Sequence, residues 1–484
     1  MAVGSIGCSA ASDGVPKSYP NMPTPVFRGV DPSSVSLFCP LEARYGRPRI
    51  RALFDRDARL RRSLRVEAAL AAAEADLGMI PAEAAREIGR IAEGPTVTLE
   101  RVDALEAELK HDVMALTRAL AEAAGPAGRW VHYGATSADI TETALALELE
   151  ESRRILRDDL TDLLRALVDQ ATRHRATPEL GRTHGQWAVP LSFGYKLAVT
   201  AAEFLRHRDR LDELTPRLVV GKISGAVGTG AGFGAQAVEV EERTLARLGL
   251  RPDEGPTQIV GRDRIAEFTN WMALTAASLE RLATEIRNLQ RSEIGEVAEP
   301  FDEQHQVGSS TMAQKRNPML SENVTSLTRL IRALALPALE NMVQWHERDL
   351  SNSANERIVI PHAILLLDDT LDKMTRVITG LRVDVDRMQG NLHDSRGMSM
   401  TENLMLALTA RGLPRSEAHE LMRNLTRPGE GDGPLAERAA HDPRVTRLLT
   451  PSEISDRLDP ARYVEAAALK CDRLVGRIRP RLGP

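Results

Sequence analysis

From Ser137 to Thr177 the chain contains neither glycine nor proline, and no other feature limits its folding so strongly. Within that run Leu145, Leu149, Leu156, Leu160, Leu163 and Leu167 recur at steps of three, four and seven, which puts them on one face of a helix. At 1.5 Å per residue, about 40 residues would span roughly 60 Å. A helix of that length outruns an ordinary small domain and needs long partners to cover its apolar face. The partners are present. Leu191 to Leu214 is one, and Ile265, Phe268, Met272, Leu279, Leu282, Ile286 and Leu289 mark a second. Pro318 to about Asn341 and Arg357 to about Leu381 supply two more. Five long helices predict an all-α protein built on a long bundle. A slender bundle leaves apolar surface uncovered, so self-association is expected.

The chain has 484 residues, 42 % of them hydrophobic but only 4 % aromatic. Its core is therefore aliphatic, which suits helix-on-helix packing. The length exceeds one core and predicts about three domains. Residues 1–40 are rich in Gly, Ser and Pro without a period and read as an irregular extension. Residues 41–130 read as a helical domain, opened by the stripe Leu60, Leu64, Ala68 and Ala72 and stopped at Gly78 and Pro81. Residues 131–381 hold the bundle. Residues 382–484 carry shorter patterns, Thr401 to Arg411 and Ser416 to Leu425, and read as a small third domain. No run of strands is expected. The formal net charge of −5 offers no basic excess for nucleic acid or anionic lipid. Cys8, Cys39 and Cys471 are scattered, with neither disulfide nor metal-site spacing, which fits a reducing cytoplasm. No apolar run is long enough to span a membrane, and the start has no secretory pattern.

Three segments carry chemistry. The first is Gly308-Ser309-Ser310-Thr311-Met312-Ala313-Gln314-Lys315-Arg316-Asn317-Pro318. It is a small-residue loop ending in a proline that can open a helix. Its hydroxyls, Lys315, Asn317 and backbone N–H groups suit a carboxylate whose charge grows; read blandly, it is a polar loop with an N-cap serine. The second is His132-Tyr133-Gly134-Ala135-Thr136-Ser137-Ala138-Asp139, where Ser137 after a glycine turn reads as an N-cap and the helix start favours an anion. The third is Gly181-Arg182-Thr183-His184-Gly185-Gln186. A histidine in a loop is most often a surface residue, but one beside Thr183 and Gln186 can protonate a leaving group near neutral pH. The Gly221–Gly234 stretch lacks the Gly-Lys-Ser/Thr ending of a nucleotide loop and reads as a connection between bundle helices.

The first segment resembles the signature of the aspartase/fumarase superfamily, Gly-Ser-Ser-x-Met-Pro-x-Lys-x-Asn-Pro, with Ala313 at the usual proline position. The second resembles that superfamily's Gly-x-Thr-Ser-x-Asp segment. The third is similar to the Thr-His-Gly-Gln stretch of the adenylosuccinate lyase branch, and Lys110-His111-Asp112-Val113 to that branch's His-Asp segment. On its own, His111 would be an ordinary residue of an amphipathic helix. Arg44-Tyr45, Gln258, Trp345-His346-Glu347-Arg348-Asp349 and Ser353 to Arg357 also match that branch, with Ala354 replacing a serine. The likeness runs from about Arg44 to Tyr463.

This resemblance implies a three-domain lyase whose five-helix bundles assemble into a tetrameric core with active sites shared between subunits. It implies a small anionic succinyl substrate and no metal or cofactor. Thr136, Ser137, Lys315 and Asn317 would hold the two carboxylates. Ser309 would remove the Cβ proton, and His184, supported by His111, would protonate the leaving nitrogen. Arg44, Tyr45, Arg348, Ser353 and Arg357 would sit near a nucleotide phosphate, and Gln258 would bind substrate. Three readings follow: adenylosuccinate lyase itself; a specialised relative acting on a smaller substrate such as nitrosuccinate; and a non-catalytic scaffold. Ala313, Ala354 and the basic Gly46-Arg47-Pro48-Arg49 favour the second. Joint retention of Ser309, His184, Lys315 and Asn317 argues against the third. Cycloisomerase relatives carry Trp in place of His184, which ranks that activity lower.

Overall fold

A computed structural model describes residues 44–427 and 433–483. The extension read over residues 1–40 lies outside them.

The Leu-rich run forms a helix of 37 residues, Ser137–Arg173, about 55 Å long. It ends short of Thr177 because the chain turns at His174 into a hairpin, and the His174 and Thr177 carbonyls accept the N–H groups of Gly194 and Phe193. Helices Phe193–Leu218 and Ser353–Thr379 pack along it, and Asp263–Leu289 packs against Met319–Ala333. Leu156, Leu160, Leu163 and Leu167 meet Phe204, Phe268, Leu279, Ile364 and Leu371 in the largest core. The expected all-α bundle is therefore the architecture found.

Two helices differ from their expected form. The fourth is interrupted at Leu334, giving Met319–Ala333 and Ala335–Glu340. Pro337 has no N–H, and its ring would press on the Ala333 carbonyl of a continuous helix. The fifth begins at Ser353 rather than Arg357 and carries Pro361 inside it.

Strands were not expected, yet three short pairs occur: the antiparallel hairpin Pro178–Thr183 with Gln186–Ser192, the parallel pair Val220–Gly221 with Arg251–Pro252, and the antiparallel pair Val297–Ala298 with Arg382–Val383. Pro178, Gly181 and Pro190 masked the hairpin's alternation, and its register slips between Leu180 and Arg182.

The N-terminal helix Arg56–Asp76 is buried on two sides. Leu60 and Leu64 enter a cluster with Ile88 and Leu120, while Val66 and Leu70 enter another with Ile140 and Phe233. Glu74 of the same helix is fully buried, and neither carboxylate oxygen has a hydrogen-bond partner. Burial, and then the charge of Glu67, pushes its pKa up to about 8. Near the other terminus, Leu404, Leu408, Leu421, Leu435 and Ile454 form a small separate core. The last helix, Ala461–Ile478, instead packs on Phe193–Leu218 and buries Cys471 and Ile478 in the bundle. Among the described residues, no helix is long and apolar enough to cross a membrane.

Candidate active site

At one end of the bundle lies a cavity of about 950 Å³, whose lining includes His111, Thr136, Ser137, Gln258, Arg348, Ser353 and Arg357. Seven residues singled out in the sequence thus come together from five separate segments.

The long helix starts at this cavity. Its N-cap is Thr136, and Ser137 is the first helical residue rather than the cap. A buried carboxylate fixes this start. The Asp139 carboxylate, fully buried, accepts the N–H groups of Thr136 (2.9 Å), Ser224 (3.0 Å) and Gly225 (3.1 Å) and pairs with the fully buried Lys222 ammonium. The glycine-rich stretch is thereby folded around Asp139, not around a ligand phosphate. Gly228 shows why glycine is needed in it: a Cβ there would stand 2.0 Å from the Pro256 carbonyl oxygen. The first-turn N–H groups carry the positive end of the helix dipole, which favours an anion.

One turn deeper, Arg262 is buried between two carboxylates. Its guanidinium grips Glu142 through both terminal nitrogens, one at 2.7 Å, and its Nε lies 3.0 Å from Glu356. Burial pushes the Glu356 carboxyl above the usual range despite the neighbouring Arg262 cation. Arg348 lies beside this cluster, half-buried, with its Nε donating to the Asp349 carbonyl at 2.9 Å. Among the described residues it forms no ion pair, and burial lowers its pKa. A desolvated guanidinium without a carboxylate is a ready partner for a phosphate. Gln258 donates its amide to the Ala226 carbonyl at 3.1 Å, which leaves its side-chain oxygen as an acceptor.

His111 caps the helix Asp112–Ala123, its Nδ1 accepting the Met114 N–H at 3.4 Å. The neutral ring in that arrangement carries its proton on Nε2. Arg357 stands 3.8 Å from the Asp112 carboxylate, so the 353–379 helix and the His111 turn are adjacent.

The remaining candidates lie elsewhere on the chain. Thr183 and Gln186 pair across the hairpin that presents His184 and Gly185 at its tip, all four exposed. Ser309 accepts at its Oγ the N–H groups of Thr311 (3.3 Å) and Met312 (3.1 Å). Asn317 donates to the Gly308 carbonyl at 3.0 Å, and Lys315 is exposed with no ion pair among the described residues. Glu299 caps the helix that follows, accepting the N–H groups of Leu320 (3.0 Å) and Ser321 (2.6 Å), so the capping group is an upstream carboxylate and not a loop serine.

This second group sits at the opposite end of the bundle. Gln258 and Arg262 precede the 27-residue helix Asp263–Leu289, whereas Gln290, just after it, donates to the Arg316 carbonyl of the Ser309 loop. About 40 Å of helix lies between them. Likewise Thr136 starts the long helix and the His184 hairpin follows its end.

Tyr45 lies under the Lys373 ammonium, 4.9 Å from its ring centre, and Gly46 donates its N–H to Asp369 at 3.2 Å. Arg44 adjoins it at the surface. That region is more than ten residues along the helix from Arg357, roughly 20 Å away, so one chain does not join Arg44 and Tyr45 to Arg348, Ser353 and Arg357. The basic Gly46–Arg49 stretch has a structural explanation: Arg47 pairs with Asp159 and Asp368, and Arg49 with Asp159.

Sequence reasoning passed over Asp139, Lys222, Glu142, Arg262, Glu356 and Glu299. Asp139 stands inside a quoted motif and three residues after the N-cap, where a capping-box acceptor is expected. The others are charged residues of helix ends and loops, with no local signal that they are buried.

A family profile described as "Lyase" matches residues 44–332, and one described as "Adenylosuccinate lyase C-terminus" matches 397–474. An adenylosuccinate lyase of Pyrococcus horikoshii is 44 % identical over 88 % of this chain and 95 % of its own length. A fumarate lyase from Mesorhizobium superposes with a TM-score of 0.82 at 32 % identity, covering 89 % of this chain and 98 % of that one. The 3-carboxy-cis,cis-muconate lactonizing enzyme of Pseudomonas putida gives 0.83 at 32 % identity, over 92 % and 99 %.

Proposed function

The chain belongs to the aspartase/fumarase superfamily, in its adenylosuccinate lyase branch, and on that premise we propose that it cleaves the C–N bond of adenylosuccinate to give fumarate and AMP. The observation that carries this reading is Ser309, whose Oγ already accepts two backbone N–H groups in a loop whose Lys315 is exposed and has no ion pair among the described residues. Donors aimed at that oxygen stabilise its alkoxide, which a serine needs in order to act as a base.

Thr136, Ser137, Lys315 and Asn317 hold the two succinyl carboxylates. Ser309 takes the proton from Cβ, and the resulting doubly charged aci-carboxylate is stabilised by the loop N–H groups and Lys315. The Cβ electron pair then forms the double bond of fumarate as the C–N bond breaks. His184 delivers a proton to the departing nitrogen, with His111 in support. One proton leaves carbon and one arrives at nitrogen, so the reaction balances without a metal or redox cofactor. Arg348, Ser353, Arg357, Arg44 and Tyr45 bind the nucleotide phosphate, and Gln258, Thr183 and Gln186 bind substrate. Closure of the Ser309 loop excludes water.

Because the two groups of residues occupy opposite ends of the bundle, each site is assembled from several subunits of a homo-oligomer, a tetramer in this reading. Leu330, Leu336, Leu339 and Val343 support this as exposed apolar residues along one stretch. The enzyme works in the cytoplasm. No observation favours the smaller nitrosuccinate substrate, since Arg47 and Arg49 are engaged by buried aspartates.

The test is product analysis with adenylosuccinate and Ser309→Ala as control. Fumarate and AMP formed at an enzymatic rate by the wild type alone is the expected result. No turnover by a folded oligomer would overturn the substrate assignment, and nitrite release from nitrosuccinate would be measured next.

A further inference from the structure

His184 and Gly185 form the two-residue turn of the hairpin, at φ 55° and 73°. A tight hairpin turn with both central residues at positive φ matches the twist of its strands. For histidine this backbone costs about 1 kcal/mol, so the surrounding strands must hold it. They are held by buried carboxylates: Lys196 pairs with Glu179 at the base of the hairpin (2.6 Å), and Arg182 acts nearer the tip. Arg182, two residues before His184, makes a two-pronged pair with Glu296 at 2.9 and 2.7 Å and donates to the Leu180 carbonyl at 3.1 Å. Glu296 is fully buried and also accepts the Asn391 amide at 2.7 Å. Its backbone N–H reaches the Leu289 carbonyl at 2.9 Å, and its carbonyl takes the Asp384 N–H at 3.0 Å. One residue, through its carboxylate and its backbone, thus ties the hairpin to the end of the 263–289 helix and to the helix Val385–Asp394. At the bulge the two strands approach so closely that only glycine fits, since a Cβ on Gly181 would lie 2.4 Å from the Val189 carbonyl oxygen.

A buried ion pair adds little net stability over an apolar pair of the same volume, but a guanidinium fork fixes direction. We propose that the Arg182–Glu296 pair positions His184: the fork sets the angle at which the hairpin tip offers its imidazole to the leaving nitrogen. Arg182 and Glu296 touch no substrate and act only through that tip. The inference rests on His184 as the proton donor.

The experiment measures kcat and KM for fumarate release by wild type, Arg182→Met, His184→Ala and the double variant. Arg182→Met is expected to lower kcat about tenfold or more, the scale of a small misplacement of a catalytic group, with a smaller rise in KM as Thr183 and Gln186 move with the tip. In the His184→Ala background it should cost less than about twofold, because the group it positions is gone. The same loss in both backgrounds, or no loss in the wild type, overturns the proposal. Wild-type kcat for His184→Ala would instead overturn the donor assignment itself, so the two failures differ. If Arg182→Met does not fold, Arg182→Met/Glu296→Gln removes both charges and is compared in the same two backgrounds.

Discussion

Gln258 and Gln290 stand beyond opposite ends of one helix. The first anchors the cavity end by donating to Ala226, and the second anchors the Ser309 loop by donating to Arg316. A rigid rod of about 40 Å between them means that no succinyl group can touch both ends of one chain. In the proposed assembly, packing of bundles against one another brings the cavity of one subunit to the loop of another.

Mixed oligomers should therefore recover activity. Ser309→Ala and His111→Ala, each strongly impaired alone, are expected to regain part of the wild-type rate when co-refolded or co-expressed, because some sites then draw an intact half from each parent. Continuous fumarate assays before and after mixing test this. A mixture no more active than its parents, with hybrids verified, would place both halves within one chain.

Gly308 is where the Ser309 loop cannot accept a side chain. An added Cβ would meet the Lys315 carbonyl oxygen at 2.0 Å. Gly308→Ala should push the loop apart and cut kcat by about a hundredfold, as misplacement of a reacting group does. Thermal stability should barely change, since the loop is exposed. Unaltered turnover would show that the loop tolerates a second geometry.

Arg348 should contribute to substrate affinity more than to the chemical step. Arg348→Met is expected to raise KM for adenylosuccinate by about tenfold or more, the range for a lost charge-assisted hydrogen bond. A substrate lacking the phosphate should be handled equally by variant and wild type. A pure kcat effect would argue that the guanidinium serves the reacting centre.

Glu74 sets a pH dependence of stability. It ionises near pH 4 to 4.5 in an unfolded chain and at about 8 in the fold. Between those values the unfolded state holds fewer protons, so its contribution is complete below about pH 4 and falls as pH rises towards 8. Wild-type Tm should drop between pH 5.5 and 8.5, and Glu74→Gln should flatten that drop. Parallel curves for the two proteins would mean that Glu74 ionises normally.

The helices were legible because their signal is local. A leucine at every third or fourth position needs no partner to be recognised, and the Ser137 run declared its length by having no glycine or proline. The quoted motifs were legible for a similar reason, being contiguous. The hairpin bearing His184 was not, because two prolines and a bulge at Gly181 erased its alternation. Nor was the break at Leu334, which depends on how Pro337 meets the carbonyl four residues before it.

By itself, then, the sequence determined an aliphatic helical bundle and the contiguous motifs from which the proposed elimination chemistry is read. Tertiary structure alone decided how those side chains are divided between the ends of the bundle, and which charges are buried. Arg47 and Arg348 look alike in the chain, yet one is paired with Asp159 and Asp368 while the other is half-buried with no ion pair among the described residues. The difference arises from which helices pack beside each arginine. Periodicity reports the face a residue shares with its neighbours along the chain, whereas the partners of Arg47 come from 112 and 321 positions away.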